Sequence, residues 1–334
     1  MKRPLFIALF ALKLLVTALA VWFVAARVDL AGALDALSKI DPLYTAAAGV
    51  CALIQIWLAS LRFGVVARLA GSRLKLAEAV RMTFIGGFFG QAFATFVSGD
   101  AMRIWLFARR GAGYRVAANA VLLDRVFGIA ALVVLIALGL PALLDILPSA
   151  EMRASAVVVT AGFAGLIGGF IVLGWLIEPA RRRSLVVTAK LPWLLDFAGA
   201  ARHVLAAPAA AFVALLLGLA VQLLSVVCIY LLFRGMGLSV AATNCFLFIP
   251  FVMLIAMLPL SFAGWGLREG AMVAAFGLAG VASDITLAVS IAFGLVILIT
   301  SLPGLLLWLT GGAAMPKESI PLSENSAANV RALP

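Results

Sequence analysis

In the stretch FATFVSGDAMRIWLFARR (93–110), Asp100 and Arg103 stand three apart in otherwise apolar sequence. Asp124 and Arg125 follow in LLDRVFG (122–128), and Arg268 and Glu269 in AGWGLREG (263–270). Ionic side chains at the centre of a membrane helix cost about 2.5–3.5 kcal/mol each unless they find partners. With Lys13 and Arg62, the apolar regions hold five cations against three carboxylates. A surplus of guanidinium groups suits a phosphate or a carboxylate, which arginine binds in a fork. The segments SGDAMRIW (98–105) and AGWGLREG share Gly-x-x-[Met/Leu]-Arg, with Gly99 and Arg103 in one and Gly264 and Arg268 in the other. Glycine lets a chain turn sharply. A helix starting there offers free N–H groups and a positive dipole end, and an arginine one turn in completes an anion site. Asp100 is placed to cap such a helix or to pair with a cation. Neighbours on a helix point about 100° apart, so Asp124 and Arg125 are expected to pair with other elements. Lining a cavity and serving as structural ion pairs are both open to them. Lys13 and Arg62 lie toward the inner halves of their segments and are expected to snorkel to the interface.

Other chemistries lack their residues. A single histidine, His203, rules out a histidine-rich zinc site, a Ser-His-Asp triad and a histidine proton relay assembled with it alone. Cys51, Cys228 and Cys245 are scattered through apolar stretches without CxxC spacing and read as small buried hydrophobes. No GxxxxGK[ST] occurs, so direct use of ATP is not expected. No cofactor or metal is expected, and no enzyme activity is assigned.

The elements that must position these ions are membrane helices. The chain is 65% hydrophobic and 12% charged, against about 45–50% and about 25% in soluble domains. We expect an all-α polytopic membrane protein with full crossings at 5–26, 43–66, 117–144, 154–177, 209–232 and 285–309. Two further apolar regions are interrupted: 82–108 by Ser98-Gly99-Asp100, and 244–282 by Gly264-Trp265-Gly266. Each reads as a re-entrant helix–break–helix hairpin, tolerated where it is buried or lines a wet cavity, and for the second region two short crossings stand as the alternative. Gly86, Gly87 and Gly90 suit close packing in the first hairpin, Gln91 faces its interior, and Pro250 and Pro259 can bend the second.

With the N-terminus inside, the inner segments hold 16 of the 25 Lys and Arg and the outer ones four. The positive-inside rule therefore puts both termini in the cytoplasm. It also accounts for the net charge of +11 without nucleic acid. EPARRRS (178–184) reads as an anchor near anionic lipid. The membrane domain is expected over 1–313, as repeat halves 1–150 and 151–313 of opposite orientation, with a disordered cytoplasmic tail at 314–334. Inverted repeats with paired broken helices are a recurrent plan of secondary transporters.

GQAFATFVSGDAMRIWLFARRGAGYRVAANAVLLDRVFG (90–128) and LPLSFAGWGLREGAM (258–272) carry a family resemblance. The chain resembles the membrane domain of lysylphosphatidylglycerol synthases and its stand-alone, flippase-like relatives. The family pattern is a Gly-Gly-Asp-x-x-Arg tip, a later [Asp/Glu]-Arg pair, and Pro-x-Ser-x-Gly-x-Gly-x-Arg-Glu. It falls on Gly99, Asp100 and Arg103; on Asp124 and Arg125; and on Pro259, Ser261, Gly264, Gly266, Arg268 and Glu269. Ser98 stands where the first glycine is usual, and Gln91 where asparagine is common. The resemblance implies a lipid translocator of the bacterial inner membrane, holding a headgroup at these residues. The implied lipid is anionic, aminoacylated or polyprenyl-phosphate-linked. Two alternatives stand beside this: a membrane partner that docks a cytoplasmic lipid-modifying enzyme through 178–208, and an intramembrane enzyme using Glu269 or Asp124 as base.

Overall fold

The computed structural model describes residues 35, 37–92, 96–183, 199, 202, 204–257 and 266–311. Its helices are α1 (Pro42–Leu69), α2 (Leu76–Ala92), α3 (Phe96–Phe107), α4 (Tyr114–Ile146), α5 (Ala150–Arg183), α6 (Pro208–Gly235), α7 (Ala242–Ala256), α8 (Leu267–Gly277), α9 (Ser283–Ser301) and α10 (Pro303–Gly311). A π-type turn, Ala108–Ala112, joins α3 toward α4. Five stretches are long and apolar enough to cross a membrane: α1, α4, Ala150–Val172 of α5, α6, and Ser283–Thr310 across α9 and α10. The protein is an all-α polytopic membrane protein.

Four expected crossings lie within α1, α4, α5 and α6. The expected crossing at 285–309 lies within the apolar stretch Ser283–Thr310, which is divided into α9 and α10 at Pro303, whose missing N–H cannot continue α9. The expected crossing 5–26 with Lys13, His203, Pro259, Ser261, Gly264 and the tail 314–334 lie outside the described residues, as does most of 178–208.

Asp41 starts α1, its carboxylate accepting from the Leu43 N–H at 2.8 Å, with Pro42 in the first turn. The Asp41 N–H donates to the Gly235 carbonyl at 2.9 Å, tying the start of α1 to the end of α6. We call this the far end of the bundle. The near end carries loop 70–75 and the π-type turn. Between the two ends α1 packs most extensively on α6. Gln55 joins them in the apolar interior, donating to Ser225 Oγ at 2.7 Å and the Val221 carbonyl at 3.0 Å.

Two apolar cores flank the ions. At the far end, Phe233 of α6, Phe248 of α7 and Phe276 of α8 stack with ring centroids 4.7 and 5.5 Å apart. At the near end, Phe63, Met82, Ile85, Leu106, Phe107 and Val121 bring α1 to α4 together. Helices α2 and α3 form one hairpin that opens at the near end, while α7 and α8 are joined to α6 and α9 at the far end. The hairpins therefore open toward opposite ends. Outside α2, α10 packs closely enough that a Cβ on Gly304 would strike the Phe84 backbone. Arg81 Nη2 donates to the Leu307 carbonyl at 3.1 Å across this contact.

The first break differs from the one expected. Ser98, Gly99 and Asp100 lie inside α3, whose described residues begin at Phe96. Gly99 serves close packing there: a Cβ on it would strike the Gly86 carbonyl and lie 3.2 Å from Gly90 Cα. Ser98 Oγ donates across the hairpin to the Phe89 carbonyl at 2.8 Å. In the second hairpin, α7 runs through Pro250 and ends at Ala256, and α8 starts after Gly266.

Candidate functional site

Asp124 lies ten residues into α4, about 15 Å along its axis from the near end. It is 2% exposed. Its Oδ1 accepts from Arg62 Nε of α1 at 2.8 Å, and its Oδ2 from Arg103 Nη2 of α3 at 2.9 Å. Asp100 lies 3.7 Å from Arg103 Nη1 and accepts twice from Arg125, at 2.7 and 3.0 Å. The order is Arg62–Asp124–Arg103–Asp100–Arg125, three cations alternating with two anions. Three helices, α1, α3 and α4, are joined here, with a formal surplus of one positive charge. Asp124 and Arg125, adjacent in sequence, pair to different residues as their angular separation on the helix requires.

Two sequence expectations are corrected. Arg62 does not snorkel: it is 9% exposed, and its guanidinium lies against Gly128 of α4 and Gly218 of α6, small residues that make room for it. Asp100 is not a cap, and Arg103 lies two turns inside α3, so the dipole end of α3 is not what Arg103 supplements. Arg103 instead draws its setting from Asp124, Asp100 and the Phe63 ring, whose centroid is 4.0 Å from its guanidinium carbon.

The ion chain opens at one end. Arg62 and Arg103 are each 9% exposed, while the Arg125 side chain is 32% exposed. A cavity of about 180 Å³ lies beside Asp100, Arg103 and Arg125. Its remaining wall is Thr83, Gly86, Gly87, Gly90, Gln91 and Gly99. At about 30 Å³ per water this is space for about six waters, or for a phosphate-sized group with part of its substituent. Glycines allow the two helices of the hairpin to approach, and the Arg103 stem lies over Gly86, where a Cβ would stand 2.6 Å from Arg103 Cγ. Arg103 Nε is buried without a hydrogen-bond acceptor, as is Arg62 Nη1, which lies against Gly128 and Gly218 and is not part of this cavity wall. Buried donors of this kind are rare and costly. The arrangement is a cation-rich recess whose charge suits an anion.

The second tip forms its own cluster on α8 and α9. Gly266 precedes α8 with φ 82°, a conformation in which a side chain would be strained. Glu269 Oε2 accepts from the Gly266 N–H at 2.5 Å and thus caps the helix start. Glu269 Oε1 accepts from Arg268 at 2.6 and 3.1 Å and from Ser290 Oγ at 3.2 Å. Arg268 also donates to the Ser290 carbonyl at 3.1 Å, with its guanidinium carbon 5.5 Å from the Phe293 centroid. Here the arginine does stand in the first turn of its helix. Among the sequence-predicted residues, Gly99, Asp100, Arg103, Asp124 and Arg125 come together, Gly266, Arg268 and Glu269 form a second group, and Gly264 lies outside the described residues.

Over residues 10–304 the sequence matches the family described as the lysylphosphatidylglycerol synthase TM region. The chain belongs to that family. It is a multi-pass membrane protein related to lipid handling. No curated protein and no solved structure matches it. Within this member of the lysylphosphatidylglycerol synthase TM region family, sequence reasoning missed Thr83 as a cavity wall, Arg62 as a member of the ion chain, and Ser290 as a partner of both second-tip ions. Thr83 stands one helical turn before Gly86, a spacing that could have placed it on the same face. Ser290 carried no signal of its own.

Proposed function

We propose that this protein is a lipid translocator of the bacterial inner membrane, which holds a phosphate-bearing headgroup inside the helix bundle while the acyl chains remain in lipid. One observation carries the reading: the cation-rich ion chain ends in a cavity between α2 and α3, inside the bundle. Arg103 and Arg125 would contact the headgroup, and Asp100 and Asp124 would hold them in place. The second tip would close the opposite side of the path in an inverted half. The distribution of Lys and Arg supports a reading with both termini in the cytoplasm. Each of Asp100, Asp124 and Glu269 accepts from an arginine, so we assign these carboxylates to positioning and read the movement as downhill. Glu269 is also engaged by the Gly266 amide, which disfavours the reading in which it acts as a catalytic base.

The test is transport in proteoliposomes containing fluorescent phosphatidylglycerol, with dithionite quenching of the outer leaflet. Wild type should add a fast phase of quenching beyond the half that is initially exposed. Arg103→Gln should slow that phase at least tenfold while the protein still elutes as a folded species. Equal rates for wild type, Arg103→Gln and protein-free liposomes would sink the proposal.

A further inference from the structure

A second cavity lies at the near end, outside the ion chain. It measures about 490 Å³ and is lined by loop 70–75, Glu78 of α2, Phe107 of α3, and Arg110 and Ala112 of the π-type turn. Three cations border it, Arg73, Lys75 and Arg110, against a single carboxylate, Glu78. Glu78 is committed to the wall: it pairs with Arg110 and accepts from the Lys75 backbone N–H at 3.2 Å. This fixes the loop to the turn and leaves a net positive recess. Arg73 and Lys75 are exposed there.

The aromatic residues nearby place this recess at the level of a membrane surface. The Trp105 and Trp308 rings lie 5.6 Å apart, Arg109 sits 4.6 Å over Trp105, and Tyr114 is exposed at the start of α4. Tryptophan and tyrosine concentrate at that boundary.

We infer that this outer cavity is a binding site for the phosphate of an anionic lipid headgroup, distinct from the inner cavity. Each basic residue near an anionic surface strengthens attraction several-fold, and arginine matches phosphate oxygens in a fork. The two cavities share a hairpin. Asp100, Arg103 and Phe107 recur at spacings of three and four along one stripe of α3. Phe107 lines the outer cavity, its ring stands edge-on to Phe63 at 5.9 Å, and Phe63 underlies Arg103, which lines the inner one. Two rings therefore separate the sites. That the outer site loads the inner one rests on the translocator reading; that it binds anionic lipid does not.

The experiment is native mass spectrometry of the full chain in detergent, titrated with phosphatidylglycerol or phosphatidylcholine. Wild type, Arg73→Gln/Lys75→Gln and Arg103→Gln are compared. The double variant should lose one phosphatidylglycerol per chain, with affinity at that site falling about ten- to thirtyfold. Arg103→Gln should retain that lipid. Phosphatidylcholine should occupy the outer site in none of the three. Retention of the wild-type lipid count and affinity by the double variant would overturn the inference. So would displacement of the lipid by 10 mM inorganic phosphate (about that concentration serves), which would make it a site for soluble phosphate. Loss of the outer lipid in Arg73→Gln/Lys75→Gln, with no effect of Arg103→Gln on any bound lipid, would support the outer site while counting against the inner one.

Discussion

Asp124 is shared by two arginines, and this makes its neighbourhood unequal under substitution. Replacing Asp124 with asparagine takes the counter-charge from Arg62 and Arg103 together, each 9% exposed. Removing one member of a buried pair typically costs about 3–5 kcal/mol, because an unpaired charge stays behind. Arg62→Met is different. Asp124 keeps Arg103 at 2.9 Å, and the lost group had a buried Nη1 without an acceptor, so about 1–2 kcal/mol is expected. The two changes should not add. In the Asp124→Asn background Arg103 keeps Asp100 at 3.7 Å, so Arg62→Met removes the cation left stranded and should restore about 1–3 kcal/mol. The assay is reversible unfolding in bicelles by steric trapping, for wild type, both single variants and the double. An Arg62→Met variant as damaged as Asp124→Asn, or a double variant losing the sum of both, would refute the shared-carboxylate reasoning.

Gly86→Ala and Gly99→Ala separate function from folding. The first puts a Cβ 2.6 Å from Arg103 Cγ and 3.1 Å from the Gly99 carbonyl, so Arg103 must shift off Asp124 and transport should fall several-fold with a smaller loss of folded yield. The second meets the Gly86 carbonyl and should lower folded yield. Both are read by size-exclusion elution beside the quenching assay. Gly266→Ala places a side chain at φ 82° and should cost about 1–2 kcal/mol in the same unfolding measurement. Glu269→Gln retains an oxygen for the Gly266 amide but loses the ionic contact with Arg268, so transport should fall while the helix start survives, seen as unchanged hydrogen exchange at Gly266.

Most of the helices were readable from the lengths of apolar runs. The 43–66 and 209–232 segments lie inside α1 and α6 because a crossing needs about 20 apolar residues whatever its partners. The failures come from distance in sequence. Arg62 alone looks like a residue able to reach the interface; its carboxylate partner is on α4, and the space for its guanidinium comes from Gly128 and Gly218. The first break was misplaced because Gly99 suggests a turn, whereas here it lets α3 lie against α2. Pro303 was readable as a helix start, but the surrounding apolar run concealed the division between α9 and α10. For the site, spacing identified the ions as pairs, and only the packing of α1, α3 and α4 showed their alternating order.

The central claim is that the recess beside Asp100, Arg103 and Arg125 receives a lipid headgroup. Its most direct test is crosslinking with a phosphatidylglycerol that carries a diazirine on the headgroup, followed by peptide mapping of the adducts. The account predicts adducts on 83–91 and 99–103, greatly reduced in Arg103→Gln. Adducts confined to the lipid-facing surface of α5, unchanged by Arg103→Gln, would contradict it.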